Sequence, residues 1–253
     1  MTLENKVIHR LPWPRDRATF DAVIAHNEPT IFSHALDAWP ALSTWTPDWF
    51  AAHHGAERVR PQVWGGRTFA DMRWTTMDLA TYVARMRTES LHLPGVELAG
   101  PFAALLEDAP LPIHLTSRRV APPLLAIGRR DNYTPLHLDV SHNLYAQVHG
   151  RRRVVFIPPS EAHRLYQPSL RSPHWWASPV DVEAPDLARF PRFSGVVRRE
   201  TIIVPGELLF IPSRHRHAFT SLDETVSISF FWEHDLAQRA LRRVLAWIGR
   251  PSL

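Results

Sequence analysis

The 253-residue chain contains no cysteine, which excludes disulfides and thiolate-held metals, so any metal it carries has to be bound by His, Asp or Glu. Lysine is almost as scarce: Lys6 is the only one among 29 basic residues, and the positive charge is therefore nearly all arginine. No apolar run approaches the roughly 20 residues that a membrane-spanning helix needs. The opening stretch from Met1 to Arg10 also lacks the apolar core of a secretion signal, so a cytoplasmic location is expected. No internal repeat or low-complexity tract is present.

What is present resembles an ordinary globular protein, 45% hydrophobic and 21% charged. This length suits one barrel with decorations as well as two small domains, and a single domain over 1–253 is the expectation. The net charge of +4 permits attraction to nucleic acid or acidic peptides without establishing either. The arginine pairs Arg118-Arg119, Arg129-Arg130 and Arg198-Arg199 are spread along the chain, as on a solvated basic surface.

The most informative stretch runs from Asp131 to Pro159. His137 and Asp139 stand two apart, and alternate side chains on a strand share a face, so an imidazole and a carboxylate project toward one point. A third ligand has to come from a distant strand, and the segment from Gly206 to His217 offers His217. Two His and one carboxylate on one face of an octahedral metal leave positions open for a co-substrate and oxygen, the pattern of non-haem Fe(II) oxygenases. His215 would share a face with His217 on a strand, and either could bind metal. Fifteen histidines make chance His-x-Asp pairs common. This pair stands out because a hairpin follows it, a Pro-Gly turn, an apolar strand and Pro212 precede the distal His, and Thr134, Asn143 and Arg152 lie around it.

Elsewhere, Pro29 to Phe32 reads as a short strand, and Thr46-Pro47-Asp48 as a helix start with Gly55 as its stop. Trp39, Trp45, Trp49 and Phe50 are expected in the core. A strand over 59–63, a Gly65-Gly66 turn and a helix over 77–86 capped by Thr76 follow. Residues 91–123, rich in Pro and Gly, read as loops. From Leu124, closely spaced β-type runs at 124–127, 136–139, 143–148, 152–157, 201–204, 208–211 and 226–232 predict a barrel or sandwich. Residues 160–200 form a long insertion, and 235–249 an amphipathic helix that covers the barrel or pairs with a second copy.

Thr134-Pro-Leu-His-Leu-Asp with Asn143, Gly150 and Phe156-Ile-Pro-Pro, then Ser178-Pro-Val-Asp, Arg189-Phe-Pro and Pro205-Gly-Glu-Leu-Leu-Phe-Ile-Pro up to His217, resemble the cupin-like Jumonji-C (JmjC) oxygenases. The branch around the hypoxia-factor asparaginyl hydroxylase is the most similar. The resemblance spans about 124–232, and more weakly 29–49. It implies a mainly β fold, a double-stranded β-helix (cupin or jelly-roll barrel) with N-terminal α/β decorations over 1–123 and a C-terminal helix. It also implies Fe(II) held by His137, Asp139 and His217, with 2-oxoglutarate and O2 as co-substrates and hydroxylation of a C–H bond as the reaction. In the family a lysine usually holds the far carboxylate of 2-oxoglutarate. The aligned residue here is Arg152, with Thr134 adding a hydroxyl and Asn143 an amide near the iron-side end. Strand parity alone leaves Arg151, Arg152 and Arg153 open, and only the alignment selects Arg152. The chain departs from the family at His215, where a tryptophan is usual, and at Phe230, where an asparagine is often found. Tyr145, His215 and Phe230 are expected around the pocket. The expected substrate is a protein or peptide side chain, with a small metabolite, a modified tRNA base, or metal binding without turnover as alternatives. Demethylation is less expected in so compact a chain. A homodimer through 235–249 is a further expectation.

Overall fold

A computed structural model describes residues 8–116 and 118–233. The N-terminal part carries β1 (His9–Pro12), α1 (Arg17–Ala25), β2 (Thr30–Ser33), α2 (Ala41–Thr44), α3 (Pro47–His53), β3 (Arg58–Val59), β4 (Gln62–Trp64), β5 (Met72–Trp74), β6 (Met77–Asp78), α4 (Leu79–Met86), β7 (Leu91–Glu97) and α5 (Leu105–Asp108). The C-terminal part is built of strands: β8 (Leu124–Gly128), β9 (Tyr133–Leu138), β10 (His142–His149), β11 (Arg152–Ile157), β12 (Arg199–Ile203), β13 (Leu208–Ile211), β14 (Arg216–Ser221) and β15 (Thr225–Trp232).

These last eight strands form two facing antiparallel sheets. The order β13-β10-β15-β8 lies within the larger sheet, and β12-β11-β14-β9 forms the smaller one. The chain crosses from one sheet to the other at nearly every step, which makes a double-stranded β-helix. N-terminal strands lengthen the larger sheet, β2 and β1 beside β13, and β7, β4 and β5 beside β8. The mainly β, cupin-like barrel expected from the sequence is the architecture observed.

Strand alternation sorts side chains between two interiors. On β10, Leu144, Ala146 and Val148 point away from the barrel into a core shared with Phe20, Trp45, Phe50, Tyr82 and Met86 of the helical layer. Each such large apolar side chain contributes about 1.5–3 kcal/mol when fully buried. Tyr145 points the other way, into the barrel with Val154, Phe156, Leu209, Ile211 and Phe219. The barrel's interior thus mixes these apolar side chains with buried polar ones, Asn143, Gln147, Ser227 and the His–Asp residues among them.

Local signals account for most boundaries. Thr46 caps α3 by accepting the Trp49 N–H at 3.1 Å, with Pro47 in the first turn and Asp48 beside it. The cap of α4 is Asp78, which accepts the Thr81 N–H at 2.8 Å, and not Thr76; the helix starts later than predicted because Met77 and Asp78 pair with Val59 and Arg58. A larger correction concerns 91–123. Leu91–Glu97 is a strand, paired with β8 across a register shift between Leu93 and Val96. Pro94 and Gly95, which made this stretch read as a loop, sit at the shift, where a ladder tolerates a missing donor. Gly150, at φ 68°, closes the turn from β10 to β11, and a Cβ there would stand 2.0 Å from the Glu224 carbonyl oxygen.

Between β11 and β12 the long insertion has only short 3-10 turns at Pro159–Arg164 and Pro191–Phe193. It packs Leu165, Val180, Val182, Phe190 and Phe193 against the outer face of the smaller sheet. Among the described residues no helix is long and apolar enough to cross a membrane. The expected helix over 235–249, with the dimer contact assigned to it, lies outside the described residues.

Candidate metal centre

β9 and β14 lie side by side with His137 directly opposite His217. Asp139 is the first residue beyond β9, and its carbonyl accepts the Arg214 N–H at 2.8 Å. That bond ties the turn leading into β14 to the end of β9. The three side chains are 9%, 3% and 2% exposed for His137, Asp139 and His217. Their ligand atoms all lie within 4.8 Å of one another, close enough to hold a metal ion. Nε2 of His137 is 3.9 Å from Oδ1 of Asp139, and Nε2 of His217 is 3.6 Å from Oδ2.

The backbone fixes how the imidazoles face. Nδ1 of His137 stands 2.8 Å from the Pro135 carbonyl, and Nδ1 of His217 stands 3.0 Å from the His215 carbonyl. A ring nitrogen can bond a carbonyl only as an N–H donor, so the proton belongs on Nδ1 in both rings. The Nε2 lone pairs are left facing the carboxylate and free for a metal.

Charge is unwelcome here without an ion. Burial pushes the Asp139 carboxyl above its ordinary range, with His137 only partly opposing the shift. Burial, followed by the neighbouring His137, holds His217 well below the usual imidazole value. A divalent cation reverses this logic by favouring the carboxylate and both neutral imidazoles together.

The structure also gathers Arg152, Thr134 and Tyr145. Arg152, 4% exposed, donates from Nη1 to the Tyr145 hydroxyl at 2.8 Å and from Nη2 to the Thr134 hydroxyl at 3.2 Å. Its guanidinium lies 4.6 Å from the centre of the Phe219 ring. Its Nε has no partner, and among the described residues no carboxylate pairs with it. The neighbouring arginines face outward, Arg151 to Asp223 and Arg153 to Glu183, so the parity left open by the sequence is decided by the sheet. A buried guanidinium without an anion is costly, and an arginine fork suits a carboxylate. The residues present therefore fit both a divalent ion and a co-substrate carboxylate.

His92 escaped the sequence reading. It is buried on β7 with Nδ1 unpartnered, and burial, then the charge of Arg152, lowers it to about 3. Its neighbour across the ladder is Gly128, where a Cβ would lie 3.5 Å from His92 Nδ1. Its only sequence signal was alternation over Leu91-His92-Leu93, hidden by the Pro-Gly that follows.

Two expected pocket residues lie elsewhere. Phe230 is on the opposite face of β15, in the core beneath the helical layer, 6.1 Å ring to ring from Trp39. Ser229 takes the inward position, where its hydroxyl accepts from the Asn143 amide at 3.3 Å. His215 does not share a strand face with His217, because β14 begins at Arg216 after a turn in which Arg214 adopts φ 65°. Its side chain is outside the His–Asp cluster, while its carbonyl orients His217. Phe69 and Trp176 flank His137 instead, with ring centroids 5.7 and 6.0 Å away. A cavity of about 260 Å³ opens beside Trp64, Arg129, Asn132 and Tyr133, and none of the predicted site residues lines it.

Residues 16–238 match the cupin-like domain family. The chain belongs to the cupin-like JmjC family. This JmjC chain is 29% identical over 222 residues to lysine-specific demethylase 8 of Xenopus tropicalis, covering 84% of the chain and 49% of that protein. It is 32% identical over 154 residues to tRNA wybutosine-synthesizing protein 5 of Danio rerio, covering 61% and 46%. With Jumonji C domain-containing protein 5 of Drosophila melanogaster the identity is 25% over 226 residues, covering 81% and 55%. The JmjC chain spans about half the length of these curated relatives.

Proposed function

We propose that this JmjC chain is an Fe(II)- and 2-oxoglutarate-dependent dioxygenase that hydroxylates a C–H bond of a protein side chain. The observation that carries the reading is one barrel holding both halves of such a site. Two Nε2 lone pairs and a carboxylate lie together, and a buried guanidinium with two hydroxyl partners has no carboxylate partner among the described residues. His137, Asp139 and His217 would hold the metal, and Arg152, Thr134 and Tyr145 the far carboxylate of 2-oxoglutarate. Iron, 2-oxoglutarate and O2 together supply the oxidising power, one oxygen atom entering the substrate C–H bond and the other the succinate formed with CO2. The chain's own part is to fix the ligand lone pairs, orient the co-substrate and keep water from the centre with Phe69 and Trp176.

Hydroxylation of an N-methyl group is the same C–H chemistry and ends in demethylation, so the relatives named as demethylases fit the reaction class. The relative named for wybutosine synthesis keeps a modified tRNA base open as the alternative substrate. A barrel that binds metal without turnover accounts less well for the unpaired Arg152.

The test is 2-oxoglutarate consumption and succinate release by the full chain with Fe(II), alone and with methylated-lysine peptides, unmodified peptides or tRNA. Turnover above the metal-free control is expected. Metal binding with no turnover under any of these conditions would leave the non-catalytic module as the correct reading.

A further inference from the structure

Phe69 reaches His137 from a segment that is tied to itself more than to the rest of the chain. Residues 65–71 join β4 to β5, and their hydrogen bonds close within the hairpin. The Gly65 N–H donates to the Asp71 carbonyl at 3.0 Å, the Asp71 N–H to the Thr68 carbonyl at 3.1 Å, and the Thr68 hydroxyl to Oδ2 of Asp71 at 2.7 Å. Among the described residues β5 pairs only with β4. In turn β4 joins the larger sheet through Gln62 and Val63, opposite His92 and Leu91, with the Trp64 N–H donating to the Ser90 carbonyl beyond them. Such a hairpin can swing about β4 as a unit without breaking its own bonds.

Two side chains hold its far side down. Phe69 is only 6% exposed yet belongs to none of the apolar cores among the described residues. Its ring neighbours are Trp176, Trp64 and His137, with centroids 4.3, 5.3 and 5.7 Å away. Arg67 lies over the Tyr133 ring at 3.9 Å and pairs with Asp181 and, at 3.7 Å, with Glu183. At the root of the hairpin is the cleft of about 260 Å³, with Trp64 to Arg67 on one side and Ser90, Asn132 and Tyr133 on the other. The root is therefore not packed down, and the hold falls to Phe69 and Arg67.

The facing wall of the centre is anchored. The Leu138 N–H donates to the Trp176 carbonyl at 2.9 Å and the Ser178 N–H to the Leu136 carbonyl at 2.8 Å, which fastens the insertion to β9. Glu183 is also engaged by Arg153 of the smaller sheet. Arg67 thus ties a swinging hairpin to a fixed post.

We propose that residues 64–74 are a flap over the metal centre, and that Arg67 latches it shut through Asp181 and Glu183. Opening it lifts Phe69 from His137 and admits solvent and substrate from that side. The gating half rests on the metal-centre reading; the latch does not.

The experiment uses the full chain with spin labels on Ala70→Cys and Ala184→Cys, both exposed positions and the only thiols in a chain without cysteine. A single short distance is expected at low salt, with a longer population growing as salt screens the exposed pair. Arg67→Gln should enlarge that population at least about threefold. Arg67→Glu should enlarge it further, and adding Asp181→Arg should restore most of the short distance. Arg85→Gln, which breaks the exposed pair with Glu89 elsewhere, should leave the distances unchanged. In unlabelled protein loaded with Co(II), EDTA should strip the ion at least about threefold faster from Arg67→Gln than from the wild type. Unchanged distances in both Arg67 variants, no rescue by Asp181→Arg, or equal broadening in Arg85→Gln would each overturn the latch. Wider distances with an unchanged stripping rate would overturn the gating. Absence of Co(II) binding would sink the metal centre and the gating with it, while the distances would still decide the latch.

Discussion

Replacing Arg152 by Met should move stability and co-substrate binding in different directions. Methionine keeps the length and packing of the side chain over Phe219 but removes the charge and both donors. In the bound state a carboxylate loses a bidentate, charge-assisted contact. Each such bond is worth about 1.5–3 kcal/mol, and because paired bonds do not add fully, a loss of about 3–4 kcal/mol is reasonable. At about 1.4 kcal/mol per tenfold, 2-oxoglutarate should bind roughly a hundredfold to a thousandfold more weakly. In the ligand-free state the same substitution removes a buried charge that has no carboxylate partner among the described residues, a burden of several kcal/mol. It gives up the contacts to Tyr145 and Thr134, about 1 kcal/mol each. The ligand-free variant should therefore melt no lower than the wild type, while the melting increment that 2-oxoglutarate gives the wild type nearly vanishes. Thermal melts with and without 2-oxoglutarate, combined with calorimetric titration, read both quantities. Binding within threefold of the wild type, or a ligand-free Tm lower by more than about 6 °C, equivalent to roughly 2 kcal/mol at this size, would show that Arg152 is a structural cation and not a clamp.

Asp139→Ala should weaken Co(II) or Zn(II) binding by at least about a hundredfold, since even outer-shell changes at metal sites cost ten- to a hundredfold. The wild-type affinity should fall on acidification, because burial raises the Asp139 carboxyl and protons then compete with the ion; titration by absorbance or calorimetry checks both. His92 is lowered to about 3 in the fold against about 6.5 when unfolded. Between these values the unfolded chain binds a proton that the native chain does not, so stability should fall as pH drops from about 6.5 toward 3, by about 1.4 kcal/mol per unit at full slope. His92→Gln should flatten that fall in urea denaturation at pH 4.5 and 7, and an unchanged slope would place the acid sensitivity elsewhere. Tyr82 donates its hydroxyl hydrogen to the Ile127 carbonyl at 2.6 Å and accepts the Leu93 N–H at 3.0 Å, fully buried. Tyr82→Phe strands both backbone groups and should cost about 1–3 kcal/mol in chemical denaturation.

Where the fold was legible, one physical signal dominated its neighbourhood. The apolar runs from β8 to β13 and in β15 stood out because barrel strands alternate or bury both faces, and α3 because Thr46 and Pro47 mark its start. β7 was hidden because Pro94 and Gly95 outweigh three alternating residues in any local reading, while the sheet needs no donor at the register shift they occupy. The cap of α4 moved from Thr76 to Asp78 because a two-residue pairing with β3, invisible along the chain, claimed Met77 and Asp78. Phe230 was misplaced by one strand position, and on a period of two a single step exchanges lumen for outer core.

The amino-acid order alone determined that a metal would have to be held without thiolates and that an internal cation would be arginine, because those are matters of inventory. It also determined the His137-x-Asp139 pairing on one strand end, a two-residue relation that backbone geometry enforces locally. The tertiary structure decided which distant imidazole completes the trio, which of three consecutive arginines turns inward, and that buried His92 feels the charge of Arg152. Each depends on which strand becomes whose neighbour, and that is set by the closure of two sheets around a shared lumen rather than by any short stretch of chain.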